Sequence, residues 1–167
     1  MKAEDVNPFI QSVNELFESM LGCAVKPGEP CVIRDDSGPP DIIGVIGLSG
    51  TVKGVVAVKF PVQTALKVVG RMVGAEFRTV DASIIDGVGE LVNIVAGSAK
   101  TKIEGHSITL SLPSVVRGSI LNNVSSKSSV FFEVPFETEL GNFSLAITLK
   151  RTPSHEQEVA NASVGSR

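Results

Sequence analysis

Residues 81–112, DASIIDGVGELVNIVAGSAKTKIEGHSITLSL, change hydrophobic period partway along. In the first part Ile84, Val88, Leu91, Val92, Val95 and Ala99 recur on one face of a 3.6-residue period. In the last part Ile108, Leu110 and Leu112 alternate with Thr109 and Ser111, the period of a half-buried strand. Asp81 is a residue type that caps a helix N-terminus by accepting from an orphan N–H. A helix is therefore predicted over roughly 81–104, with a strand after it.

Working outward, the flanking segments sort into helices and hairpins. Asn7-Pro8 reads as a helix start, with Asn as cap and Pro in the first turn. Ile10, Val13, Phe17, Met20 and Leu21 follow at helical spacing, and Gly22 is placed to close the helix. Cys31-Val32-Ile33 is a short candidate strand. Ile42–Leu48 and Thr51–Phe60 read as strands joined by a tight turn at Ser49-Gly50. Pro61 opens a second helix through Leu66, Val69, Met72 and Val73, ending near Gly74. After a Gly, Asn and Ser loop (118–128), Phe132, Val134 and Phe136 alternate with polar residues. Phe143, Leu145, Ile147 and Leu149 do the same across a hairpin turn at Gly141-Asn142. Pro135 marks its strand as an edge or a bulge. Helices and antiparallel hairpins segregated in this way predict an α+β domain, a two-layer sandwich of antiparallel sheet and helices. One domain is predicted over 1–152, and the apolar-poor 153–167 reads as a disordered tail.

A chain of 167 residues suits one domain, with 43% hydrophobic and 20% charged residues close to globular averages. The net charge is −3, and the 15 Lys and Arg are scattered with no Trp or Tyr beside them. That pattern argues against nucleic acid as a partner. No apolar signal core stands in MKAEDVNPFI, and no long uninterrupted apolar run predicts a membrane span; a cytoplasmic protein is expected. Cys23 and Cys31 read as ordinary buried thiols, and the two histidines, His106 and His155, have no ligand spacing around them.

The third helix has a second face. At 100° per residue Asp86, Glu90, Asn93, Gly97 and Lys100 fall within about 80° of one another, opposite the apolar stripe. Asp86 and Glu90 are like charges one turn apart, worth about 0.2–0.5 kcal/mol of repulsion. Gly87, Gly89 and Gly97 cost up to ~1 kcal/mol each against Ala in a helix interior. Burial of the apolar stripe, at about 1.5–3 kcal/mol per side chain, outweighs these penalties without explaining them. Two readings compete. The face is an ordinary solvated surface, or it is a docking face on which Gly89 and Gly97 leave room for another protein's backbone around Glu90 and Asn93.

Asp86-x-x-x-Glu90-x-x-Asn93, followed by Ile-Val-Ala-Gly and Lys100, resembles the signature of the CheC/CheX/FliY phosphatase family of bacterial chemotaxis. Gly54–Glu76, GVVAVKFPVQTALKVVGRMVGAE, is similar to the family's strand, helix and closing Met-x-Gly. A single motif makes the chain more similar to CheX than to the two-site CheC. The resemblance implies hydrolysis of the aspartyl phosphate on a phosphorylated CheY-like response regulator. It implies Glu90 and Asn93 as catalytic residues, and Asp86, Gly89, Gly97 and Lys100 as partner-binding residues. Glu90 would anchor the regulator's active-site lysine while Asn93 positions the attacking water. Any Mg²⁺ would belong to the partner receiver domain, with no cofactor or metal bound by this chain. A homodimer paired through a sheet edge near Phe131–Phe136 and Phe143–Leu149 is also implied. Many family members carry a proline slightly further from the motif asparagine than Pro113, which stands 20 positions after Asn93, so no role is carried onto Pro113.

Two other classes fit parts of the pattern. A non-catalytic regulator-binding or flagellar-switch-like adaptor would share the fold. A hydrolase using Asp86, Glu90 and Asn93 as oxygen ligands for a metal would have a thin coordination shell on a single helix face.

Overall fold

The computed structural model describes residues 5–33, 41–118 and 131–151. The expected tail 153–167, and all but the first residue of the expected 118–128 loop, lie outside these described residues. Three helices and eight strands are formed among them: α1 (Asn7–Leu16), β1 (Val25–Pro27), β2 (Cys31–Ile33), β3 (Asp41–Gly50), β4 (Val52–Phe60), α2 (Val62–Val73), α3 (Ala82–Lys102), β5 (Ile108–Leu110), β6 (Ser114–Gly118), β7 (Phe131–Thr138) and β8 (Phe143–Arg151). The strands make one antiparallel sheet in the order β1-β7-β8-β4-β3-β5, with β2 also on β7 and β6 also on β3. The helices cover one face, giving the two-layer α+β sandwich.

Each helix end has a local cause. Asp81 accepts from the Ile84 N–H at 3.1 Å and caps α3, satisfying one of the donors that a helix N-terminus leaves unpaired. Pro61 precedes α2, and Gly74 ends it with a left-handed φ of 69°. At the first helix the cap differs from expectation. Val6 occupies the N-cap position without a side-chain bond, and Asn7 is already helical with Pro8 in the first turn. The chain from Phe17 to Leu21 widens into a π-helical turn, closed by Gly22 at φ 60°. The wider turn leaves Met20 46% exposed while Phe17 and Leu21 stay in the core.

The β3–β4 hairpin forms the middle of the sheet, with Ile42 opposite Phe60 and Leu48 opposite Gly54. The residues facing the helices, among them Ile42, Ile46, Val56, Val58, Phe60, Leu145 and Ile147, are all but fully buried. Phe143 stacks between Phe17 and Phe136, ring centroids 4.9 and 5.0 Å apart, and joins the first helical segment to the sheet. On the other face Ile43, Ala57, Phe131 and Ala146 form a smaller buried cluster. Beside it the Lys59 ammonium donates to Glu133 at 3.1 Å, and Glu133 also accepts from the Ser144 hydroxyl.

Three expectations about the sheet change. β5 is only three residues long; Leu112 lies beyond it, 89% exposed, and a further strand, β6, pairs with β3 from Asp41↔Gly118 to Val45↔Ser114. Pro135 is not on an edge strand, because β1 and β2 both pair with β7. It sits at the break between them, where its carbonyl accepts from the Gly28 N–H at 2.8 Å. A residue without a donor is tolerated where a ladder is interrupted. The edge expected to pair with a second copy is also displaced: β8 lies between β4 and β7, and β7 is covered by β1 and β2. Neither strand offers a free edge, and the ends of the described sheet are β1/β2 and β5/β6.

Cys23 and Cys31 are free thiols, Cys23 buried and, against expectation, Cys31 exposed. Burial raises the Cys23 thiol above its usual range, and the Glu139 charge adds to the effect. By length and composition α3 passes as a membrane span, but half of its most apolar stretch is buried in the fold, as for a core helix.

Candidate functional site

α3 is held on the sheet by its apolar stripe and by three close approaches. Gly44 on β3 lies under the helix: a Cβ there would stand 2.9 Å from the Val88 carbonyl oxygen and 3.1 Å from Cγ1 of Val88 and of Val92. Only glycine lets the helix backbone come so near. Gly87 faces α2, where an added Cβ would meet Val69 Cγ1 at 2.5 Å. At the far end Glu15 of α1 takes Lys102 at 2.8 Å and the Ser98 hydroxyl at 3.3 Å. The Lys102 hydrogen bond lowers the Glu15 carboxyl below its usual range, outweighing the opposing desolvation.

Ile84, Val88, Leu91, Val92, Val95 and Ala99 are all buried, as the period predicts. Asp86, Glu90 and Lys100 are exposed, and Asn93 and Gly97 are half-buried on the side turned from the sheet. Glu90 and Asn93 stand one turn apart, so their side chains are neighbours on the helix surface. Gly97 has nothing within 4 Å of where its Cβ would be, so this glycine does leave open space. Gly89 does not. It is buried, and its Cβ position lies 3.5 Å from Val115 Cγ2 and 4.0 Å from Pro113 Cβ. Of the three helix glycines, Gly87 answers to packing inside the fold, Gly89 is buried but would place a Cβ in ordinary contact with Val115 and Pro113, and Gly97 faces open space.

The same contacts bring in residues that the sequence reading left aside. Pro113 and Val115 flank α3 at the level of Gly89, next to the Glu90–Asn93 turn. The available signal was the proline's position after the motif asparagine, close to that of the family but not equal to it.

The Glu–Asn pair stands on the outer face of α3, with Glu90 exposed and Asn93 half-buried. Clefts of about 550 Å³, along Lys67, Arg71 and Arg78, and of about 160 Å³, beside His106 and Arg151, are lined by other residues. Among the described residues no three His, Cys, Asp or Glu side chains cluster to hold a metal. An exposed carboxylate and a half-buried carboxamide on one helix face can hydrogen-bond and pair with charge, and they line neither of these two clefts.

Comparison with known proteins decides the family. The model of the chemotaxis phosphatase CheX matches residues 42–137, from β3 through β7. The chain belongs to the CheX family. It is 34% identical over 149 residues to the CheY-P phosphatase CheX of Thermotoga maritima, an overlap of 84% of this chain and 96% of that protein. A CheC-like superfamily protein from Shewanella sp. PV-4 superposes with a TM-score of 0.79 at 28% identity, covering 90% of this chain and 99% of the other. The chemotaxis protein CheX from Vibrio vulnificus gives a TM-score of 0.78 at 28% identity, covering 89% and 100%. The CheX model's match includes the whole of α3, and with it Asp86, Glu90, Asn93, Gly97 and Lys100.

Proposed function

We propose that this chain is a phosphatase that hydrolyses the aspartyl phosphate of a phosphorylated CheY-like response regulator. One observation carries the reading: Glu90 and Asn93 stand one turn apart on the outer face of an apolar-backed helix, in a chain of the CheX family. The activity in the name of the Thermotoga maritima relative supports it.

The chemistry asks little of the side chains. An acyl phosphate is already activated, and phosphoryl transfer through a loose transition state is accelerated chiefly by positioning and electrostatics. Asn93 both donates and accepts hydrogen bonds, so its carboxamide can hold a water in line behind phosphorus without acting as a strong base. Glu90 would be repelled by the phosphoryl group and is better used on the cation beside it, the regulator's active-site lysine. Asp86 extends the acidic docking face by one turn, Gly97 lets the partner approach, and Lys100 meets acidic partner surface. The Mg²⁺ that neutralises the phosphoryl oxygens belongs to the receiver domain, and both proteins work in the cytoplasm. A homodimer remains part of the reading, paired through a sheet end rather than through β7 or β8.

Asn93→Ala and Glu90→Ala separate the two roles. Asn93→Ala is expected to bind the phosphorylated regulator about as tightly as wild type while losing acceleration of its decay; Glu90→Ala is expected to lose binding and decay together. Decay that is accelerated equally by wild type and both variants would remove the site from this helix face.

A further inference from the structure

The β5–β6 connection presents a second, apolar contact beside the Glu–Asn pair. Leu112 is 89% exposed, against 46–53% for the other exposed large hydrophobic residues among those described, Met20, Val32 and Val73. A single exposed leucine is ordinary. This one, however, is held out by its neighbours. Ser111 exchanges two bonds with Gly47 of β3: the Ser111 N–H donates to the Gly47 carbonyl at 2.9 Å, and the Ser111 hydroxyl accepts from the Gly47 N–H at 2.9 Å. The same hydroxyl donates to the Leu112 carbonyl at 2.9 Å. Pro113 follows, which confines Leu112 to extended backbone. The connection therefore spends little conformational entropy when Leu112 is buried by a partner.

Its place is set by Gly89, whose Cβ position is 4.0 Å from Pro113 Cβ. At 100° per residue Asn93 lies about 40° around the helix from Gly89, and Glu90 about 100°. Pro113 thus forms an apolar shoulder on the Asn93 side of the docking face, and the exposed Leu112 is the next residue to it in the chain.

We propose that Leu112 is the apolar anchor of the regulator interface, seated on an apolar surface of the receiver domain next to its phosphoaspartate while Glu90 and Asn93 enter the polar site. The proposal rests on the function proposed above and adds the residue that supplies affinity without touching the reaction. Burying an exposed, preorganised apolar side chain at the side of the docking face removes apolar area from water at little entropic cost, and so supplies affinity.

The test compares wild type, Leu112→Ala, Leu112→Asp and Val73→Ala, the last an exposed apolar residue at the end of α2. Two quantities are read: affinity for the beryllofluoride-loaded regulator, and kcat and KM for decay of the phosphorylated regulator. Leu112→Ala is expected to raise Kd and KM about tenfold, equivalent to ~1.4 kcal/mol of binding, with kcat held within about twofold. Leu112→Asp should weaken binding further, and Val73→Ala should match wild type. A wild type that binds and turns over, with both Leu112 variants indistinguishable from it, overturns the anchor alone. A fall in kcat at unchanged KM overturns it as well, since the residue would then act on chemistry. A wild type that neither binds nor accelerates decay overturns the proposed function and the anchor with it.

Discussion

Gly44→Ala probes how the fold sets the position of the candidate site. The added Cβ would fall 2.9 Å from the Val88 carbonyl oxygen, about 0.5 Å inside ordinary van der Waals contact, and 3.1 Å from two valine methyls. None of these atoms can swing away. The oxygen is helix backbone, and Val88 and Val92 are β-branched, stiff at χ1 and completely buried. Alanine gains roughly 0.4–1 kcal/mol over glycine through the unfolded chain. Overpacking a tight core costs typically 1–3 kcal/mol, and contact with backbone belongs at the upper end of that range. The steric cost wins, for a net loss of about 1–2 kcal/mol. In a chain of this size that corresponds to a Tm lower by roughly 2–8 °C. The helix can relieve the contact only by lifting from β3 and carrying Glu90 and Asn93 with it. Because a 1 Å misplacement can cost on the order of 100-fold, regulator decay should slow by about tenfold or more even well below Tm. Thermal melts and decay kinetics on the same preparation check both effects. A Gly44→Ala protein as stable and as active as wild type would refute the reasoning that the site's position depends on this approach.

Gly97→Ala should behave in the opposite way: with open space around its Cβ position, it is expected to stabilise the helix by up to ~1 kcal/mol while weakening regulator binding, read by melting and titration together. Asp81→Ala removes the α3 cap and should cost about 1 kcal/mol in denaturant unfolding, since the Ile84 N–H loses its acceptor. Glu15, lowered by Lys102, contributes stability that is present above the ordinary carboxylate value of 4.5 and lost as pH falls through the lowered folded value. The stability difference between wild type and Glu15→Gln should therefore narrow as pH drops below 4.5; a difference that widens would contradict the assignment.

The strong periodic segments were legible because local pattern and tertiary demand agree. α3 begins within a residue of its predicted start, because Asp81 is both a suitable cap and the residue just before the apolar stripe. The β3–β4 and β7–β8 hairpins follow the alternation read from the sequence but not its two-residue turns: Ser49 and Gly50 belong to β3 and pair with β5, and four residues, 139–142, join β7 to β8. β6 was not legible: Ser114–Gly118 is short and carries Arg117, and it is a strand only because β3 leaves its flank open beyond β5. The sheet order is a property of the whole chain, so Phe-rich β7 and β8 read as candidate edges while folding as inner strands. At the site, the polar face could be read from the period alone, because the apolar stripe fixes which side faces out. The role of Gly87 could not, since what its missing Cβ makes room for is Val69, on another helix; nor could the burial of Gly89 beside Val115 and Pro113, which lie far away in sequence. Leu112 was read as a core-facing strand residue because alternation continues past the point where pairing to β3 ends.

The central claim is turnover on a phosphorylated regulator. The most direct measurement mixes the wild-type chain at one-twentieth of the concentration of a phosphorylated CheY-like receiver domain with Mg²⁺ and follows inorganic phosphate release. Release of many phosphates per chain, at a rate well above spontaneous decay and absent with Asn93→Ala, is the predicted result. Tight binding with release no faster than spontaneous decay would contradict it and leave the chain as an adaptor that holds the phosphorylated regulator.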